Sequence, residues 1–240
     1  VAPGPNDLFI VGDPYQKIFP RRLVLKEAGV ELAERSELLT LNYRTTSQIR
    51  DWAVAMLASH VTDDLDGGEA TLAGYHSVRS GPVPEVRDFG TLEEETAQIV
   101  AHVKQLLEAG EEPESICVSA RQRDRLPHYR DALRAAGLPA KILEPYTGDD
   151  EPGVVVATMY RIKGLEFKHM AIASVNEGEL PPLTEDEPLE PALLRQTQRL
   201  LSTTAARARD SLLVTAFGTP SPLLKQESHA PSDPHALAPS

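Results

Sequence analysis

"VVVATMYRIKGLEFKHMAI", Val154 to Ile172, decides the fold. Val154 to Thr158 is a run of apolar residues without alternation. A second run, Met170 to Val175, follows after a short charged connection. Uninterrupted apolar runs of this length are the mark of strands covered on both faces, as in a parallel sheet. The pattern repeats outward along the chain, at Ile116 to Ser119, Leu212 to Ala216 and Leu8 to Val11, with a shorter candidate at Lys141 to Leu143 and a short strand at Glu85 to Phe89.

Helical patterns alternate with these strands. Thr45 is read as the N-cap of a helix reaching His60, with Gln48 as its capping-box partner and an apolar face at Ile49, Trp52, Ala53, Met56 and Leu57. Thr91 and Glu94 open a second helix with Ile99, Val103, Leu106 and Leu107 on one face and Gly110 past its end. Leu126 to Ala136 is a third, with Pro127 near its first turn and Gly137 closing it, and Leu193 to Arg209 a fourth. Strand–helix alternation predicts an α/β fold with a parallel sheet flanked by helices. The acidic, proline-containing stretch 176–190 reads as a solvated loop, and 218–240, with five prolines and four serines, as a disordered tail.

The totals narrow the function. A chain of 240 residues with 41% hydrophobic and 25% charged residues is an ordinary globular composition. A net charge of −12 excludes a protein that coats nucleic acid with its whole surface, so any such contact must be local. A lone cysteine, Cys117, excludes a disulfide framework and fits a cytoplasmic setting, and no apolar run is long enough for a bilayer. The first residue is Val, as expected of an excised fragment.

Four stretches carry possible chemistry. "VGDPYQKIF" places Asp13 and Gln16 after an apolar run, where an amide can both donate to a phosphate oxygen and accept from a water; Gly-Asp-Pro is equally ordinary turn chemistry. "LTLNYRTTSQI" sets Tyr43 beside Arg44, a ring that can stack on a base and a fork that can pair with phosphate, or simply a half-buried Tyr and a surface Arg. In the opening stretch, Gly164 permits close backbone approach and Glu166 offers acceptors to ribose hydroxyls, against the reading of a charged surface connection. In "RQTQRLLSTTAARARDSLLVT", Arg207 either supplies charge to a phosphoryl group or complements the end of a helix.

In this order and spacing, "GDPYQKIF", "LNYRT", the Thr158 to Phe167 stretch with "KGLEF", and the segment through "RAR" to "LLVT" resemble motifs III, IV, V and VI of superfamily 1A DNA helicases of the UvrD/Rep/PcrA family. The resemblance spans Leu8 to Ala216. It implies a RecA-like three-layer α/β/α domain that clamps ATP with Mg2+ against a first RecA-like domain upstream in the same polypeptide. Residues 1–35 would be the end of that first domain and a connector, and 36–217 the second domain. The 114 residues from Arg44 to Thr158 leave no room for a large inserted subdomain. Gln16, Arg44 and Arg207 would face the γ-phosphate, Arg207 as the arginine finger. Tyr43 would stack on adenine, Glu166 would bind the ribose, and Gly164 would belong to the nucleotide site. Phe19, Arg21, Arg22, Thr158 and Tyr160 would contact single-stranded DNA or a duplex junction, in repair or recombination.

The chain departs from the family at four points. Tyr160 stands where the family has His, and Arg21 where it has an aromatic residue. Ser202 and Ala206 replace a Tyr and a Thr, and Gln196-Thr197 replaces an acidic pair. No G-x-x-x-x-G-K-[ST] phosphate cradle and no acidic pair closing an apolar strand occur in the chain, so the fragment alone is expected to be inactive. The competing expectation is a helicase-like module that binds DNA or a partner without hydrolysis. Leu8 to Arg22 is expected to pack irregularly, its sheet neighbours lying in the other domain.

Overall fold

A computed structural model of the chain describes residues 9–13, 16, 18, 30, 37–57, 75–143, 152–182 and 191–225. Its centre is a six-stranded, wholly parallel sheet. The strands are β3 (Glu85–Phe89), β4 (Ile116–Ala120), β5 (Ala140–Ile142), β6 (Val154–Thr158), β7 (Phe167–Ile172) and β8 (Ala208–Phe217), and their order is β3-β8-β7-β4-β6-β5. β1 (Leu41–Thr46) and β2 (His76–Arg79) pair in parallel as a separate two-stranded sheet. Helices α2 (Leu92–Glu108) and α3 (Arg125–Ala135) cover one face of the large sheet, and α1 (Ser47–Ala55) and α4 (Pro191–Ala205) the other. This is the expected three-layer α/β architecture. Between Arg44 and Thr158 the described residues hold only these elements and no separate subdomain.

Each face has its own core, because each strand sends alternate side chains to opposite helices. Ile99, Val103, Tyr129 and Leu133 pack on Ile116, Val118 and Val156 on one side. Ile49, Ala53, Leu200 and Leu201 pack on Met170, Ile172, Leu212 and Val214 on the other. Between α2, α3 and the sheet lies one buried polar group. The Glu95 carboxylate accepts from the Tyr129 hydroxyl (2.6 Å), the Ser174 N–H (2.9 Å) and the Thr215 hydroxyl (2.6 Å). Ser174 has φ +56, in the left-handed region, and Glu95 holds its amide there.

Several boundaries differ from the sequence reading. Residues 9–13 form no strand, and Phe9 is 93% exposed, so the described part of the first apolar run, Phe9 to Val11, is no buried strand of this sheet. The segment is nonetheless anchored further on: Ile18 is fully buried in the α1/α4 core, and Gln196 Nε2 donates to its carbonyl at 3.2 Å. The cap of α1 is Thr46, whose hydroxyl accepts from Ile49 N, while Thr45 receives the Asn42 amide at 2.6 Å and Gln48 turns to Gly81 N at 2.9 Å. β1 runs one residue further than the capping pattern implied, which moves the cap with it.

The apolar run after Gly164 begins its pairing at Phe167 rather than Met170. The last helix ends at Ala205, so Arg207 sits in the turn and Arg209 already in β8; β8 starts four residues earlier than expected because its first residues still pair with β7. Residues 176–182 are not a solvated loop. Asn176 and Leu180 are buried, Asn176 Oδ1 accepts from Phe217 N at 2.8 Å, and Arg125 binds Glu179 at 2.6 Å while lying over the Phe217 ring. The expected disorder from 218 onward does not begin there: Ser221 and Leu223 are buried and Pro222–Lys225 forms a 3-10 turn, while 226–240 lie outside the described residues. Among the described residues, no helix is long and apolar enough to cross a membrane.

Candidate functional site

Four residues far apart in sequence meet at the amino ends of β7 and β8. Glu166 immediately precedes β7, and Arg207 immediately precedes β8. Arg44 approaches from β1, and Gln16 from the segment anchored by Ile18. Arg44 Nε lies 3.0 Å from Glu166 Oε2, and Arg207 Nη2 donates to Gln16 Oε1 at 3.0 Å. Gln16 in turn donates to Asp13 Oδ2 at 2.8 Å.

Arg207 is 3% exposed and spends each part of its fork on a different element. Nε donates to the Thr203 carbonyl of α4 at 3.1 Å, Nη1 to the Leu165 carbonyl at 3.5 Å, and Nη2 to Gln16. The first contact is the favourable meeting of a cation with a helix end that the sequence allowed for. Burial pulls its proton affinity below the usual guanidinium range, and the Arg44 charge pushes the same way, while Asp13 and Glu166 oppose them. Tyr75 borders the group, its hydroxyl pushed up by burial first and then by Asp13. The cluster is therefore two guanidiniums interleaved with two carboxylates and an amide.

Local structure explains how Arg44 is held. Asn42 Oδ1 accepts from Arg44 N at 2.8 Å and from Thr45 N at 3.3 Å, an Asn side chain standing in for a backbone turn. The next residue but one begins α1. Tyr43, on the opposite side of the strand, is 69% exposed and presents a free ring face. Gly164 has φ +90, and a Cβ there would meet nothing within 4 Å. Glycine suits this left-handed turn, and no other part of the chain crowds it.

The proposed DNA contacts fall elsewhere. Thr158 ends β6 at the carboxyl edge of the sheet, opposite the Arg207 cluster, and its hydroxyl accepts from Arg161 N at 3.3 Å. Tyr160 packs half-buried against the α1/α4 core. Phe19, Arg21 and Arg22 lie outside the described residues. Sequence reasoning missed Arg79, Asp210 and Tyr75. Asn42 was missed as well, although Asn is a common turn former; no local pattern marks the other three. Among the described residues, no group of three or more His, Cys, Asp or Glu could hold a metal ion.

The fold is a three-layer α/β domain with a parallel six-stranded sheet, and similar proteins are found by comparison. The family model described as the UvrD-like helicase C-terminal domain matches residues 38–147. That part of the chain is homologous to this domain; it contains Tyr43 and Arg44, while Gln16, Glu166 and Arg207 lie outside the match. Among solved structures, the C-terminal domain of a possible DNA helicase from Lactobacillus plantarum WCFS1 is similar at 23% identity and TM-score 0.58, over 79% of this chain and 96% of that one. The SWI2/SNF2 ATPase core of Sulfolobus solfataricus, in complex with dsDNA, is similar at 13% identity and TM-score 0.40, over 57% of this chain and 28% of that one. The Hef helicase domain of Pyrococcus furiosus gives 16% and 0.33, over 51% and 25%. No curated protein matches the chain.

Proposed function

We propose that this chain forms one wall of an ATP site that a first RecA-like domain closes, and that the whole protein is an ATP-dependent DNA helicase or translocase. In this reading residues 36–217 are the second RecA-like domain and 1–35 the end of the first. The observation that carries it is the meeting of Gln16, Arg44, Glu166 and Arg207, drawn from four separate motifs, as two bonded pairs, Arg207–Gln16 and Arg44–Glu166, close enough for their charges to interact.

The residues present suit a nucleoside triphosphate in part. Arg44 and Arg207 hold two positive charges at one place, where a terminal phosphate is stabilised most as its charge redistributes. Arg207 is already dehydrated, so its field is little screened. Gln16, bonded at once to Arg207 and Asp13, links that charge to the segment leading toward the other domain. Glu166 offers carboxylate oxygens to ribose hydroxyls, and Tyr43 an exposed ring for a base. The triphosphate supplies the phosphoryl bond whose cleavage drives domain movement, and Mg2+ would be held with the phosphate cradle by the other domain. Single-stranded DNA or a duplex junction would run along the opposite edge of the sheet, at Thr158 and Tyr160; by the motif resemblance Phe19, Arg21 and Arg22 would also contact it.

The test is single-stranded-DNA-stimulated ATP hydrolysis by the full-length protein. Arg44→Ala and Arg207→Ala should each lower kcat by about 10³-fold or more. No DNA-stimulated hydrolysis, or parental rates in both variants, would overturn the reading. One observation favours the second reading, a helicase-like binding module without hydrolysis: all three parts of the Arg207 fork are already engaged within the chain. In that case Arg207→Ala lowers the melting temperature and changes no ATP turnover.

A further inference from the structure

Arg44 stands on the two-stranded sheet, and Arg207 in the turn that opens β8 of the six-stranded one. β1 pairs with β2 alone, and the six-stranded ladder that begins beside Arg207 does not continue into it. Backbone pairing therefore does not fix one guanidinium relative to the other. Arg79, in β2, bridges the gap. Its Nη1 donates to the Arg44 carbonyl at 3.0 Å, and its Nη2 meets Asp210 Oδ1 at 2.5 Å. Asp210 is the third residue of β8, three beyond Arg207.

The neighbourhood of the bridge is close-packed. A Cβ on Gly81 would lie 2.6 Å from Thr46 Cγ2 and 3.3 Å from the Asp210 carbonyl oxygen. The strand end carrying Arg44 is thus pressed onto the start of β8. Gln48 holds the same corner through Gly81 N. Charge gives the bridge its reason. Arg44 and Arg207 repel, and Arg79 brings a third cation; Asp210 neutralises that cation, which leaves its second N–H group for the Arg44 carbonyl. A pair as exposed as this one contributes little to stability. Its two-pronged geometry, by contrast, sets a distance.

We propose that Arg79 and Asp210 are positioning residues that fix the spacing of Arg44 and Arg207, so that both guanidiniums reach one terminal phosphate. This rests on the reading of those two arginines as a phosphate-binding pair, so R44A and R207A are measured beside the new variants. The experiment follows DNA-stimulated ATP hydrolysis and thermal unfolding of the full-length protein carrying R79A, D210N or both, with R87A of the exposed Arg87–Glu85 pair as control. Each single change should lower kcat roughly tenfold or more, the range of a misplaced catalytic group, with the melting temperature unchanged. The double variant should lose no more than the worse single one, since the two residues act as a unit. R79K, which keeps the charge but loses the planar fork, should fall between parent and R79A, and it keeps the test open if R79A misfolds. Parental kcat in R79A and D210N, while R44A and R207A abolish turnover, would overturn the proposal. So would losses that simply add in the double variant, or a loss that tracks unfolding. Parental kcat in R44A and R207A would overturn the underlying reading and this proposal with it.

Discussion

At the scale of single residues, the buried Glu95 makes the sharpest forecast. Three donors converge on one carboxylate that water does not reach. Tyr129→Phe removes one of them and leaves the Ser174 hydroxyl without its partner, so it should cost about 1–3 kcal/mol by urea unfolding. Glu95→Leu should cost more than Tyr129→Phe, because it strands the Ser174 N–H and the Thr215 hydroxyl, while the Tyr129 hydroxyl keeps Ser174 as a partner. No local pattern marks this group. Glu95 looks like one more first-turn acidic residue among Glu93, Glu94 and Glu95, and only the packing of α3 across α2 separates it from its exposed neighbours. Arg44, Glu166 and Arg207 were legible for a different reason: each stands in a short motif whose order along the chain is informative. Arg79 and Asp210 carry no such mark, since a single Arg in a four-residue strand and an Asp early in a long one are ordinary surface residues.

At the scale of elements, two glycines separate two kinds of constraint. Gly164→Ala meets no neighbour, so its cost is the left-handed backbone alone, about 1–2 kcal/mol. Gly81→Ala has an ordinary backbone but a methyl 2.6 Å from Thr46 Cγ2. Thr46 must turn to relieve it, and its hydroxyl then leaves the N-terminus of α1; the expected loss is again about 1–2 kcal/mol, with helix content falling by circular dichroism. The buried strands and the helices with strong apolar faces were legible because burial on both faces, or on one stripe, leaves its period in the sequence. β2 was not: four residues, two facing solvent, pair only with β1 and leave no period to read. The boundary between α4 and β8 was misread because the apolar pattern of β8 starts at Leu212, while its backbone pairing starts at Ala208.

At the scale of the whole molecule, acid should weaken the fold through His102. Burial holds its imidazole below the usual value of 6.5, with Arg87 and His169 pushing the same way and Glu85 opposing. Below about pH 6.5 the unfolded chain takes up a proton on this side chain that the folded chain refuses. The contribution is therefore complete above that pH and is lost as pH falls toward the lowered value. Urea midpoints measured across this window should fall with acid, and His102→Gln should flatten the slope. The two edges of the sheet divide the molecule in another way, with the charged cluster at the strand beginnings and Thr158 at a strand end. The 159–166 crossing starts beside Thr158 and delivers Glu166 to the cluster. One consequence of the way Arg207 is held concerns exchange rather than strength. Its Thr203 and Leu165 partners are backbone carbonyls beside the large sheet, while Gln16 is a side chain from the segment before β1. An incoming anion would swap one oxygen for another at a single nitrogen. The arginine would never pass through a bare state, and the cost of drying it would already have been met when the chain folded.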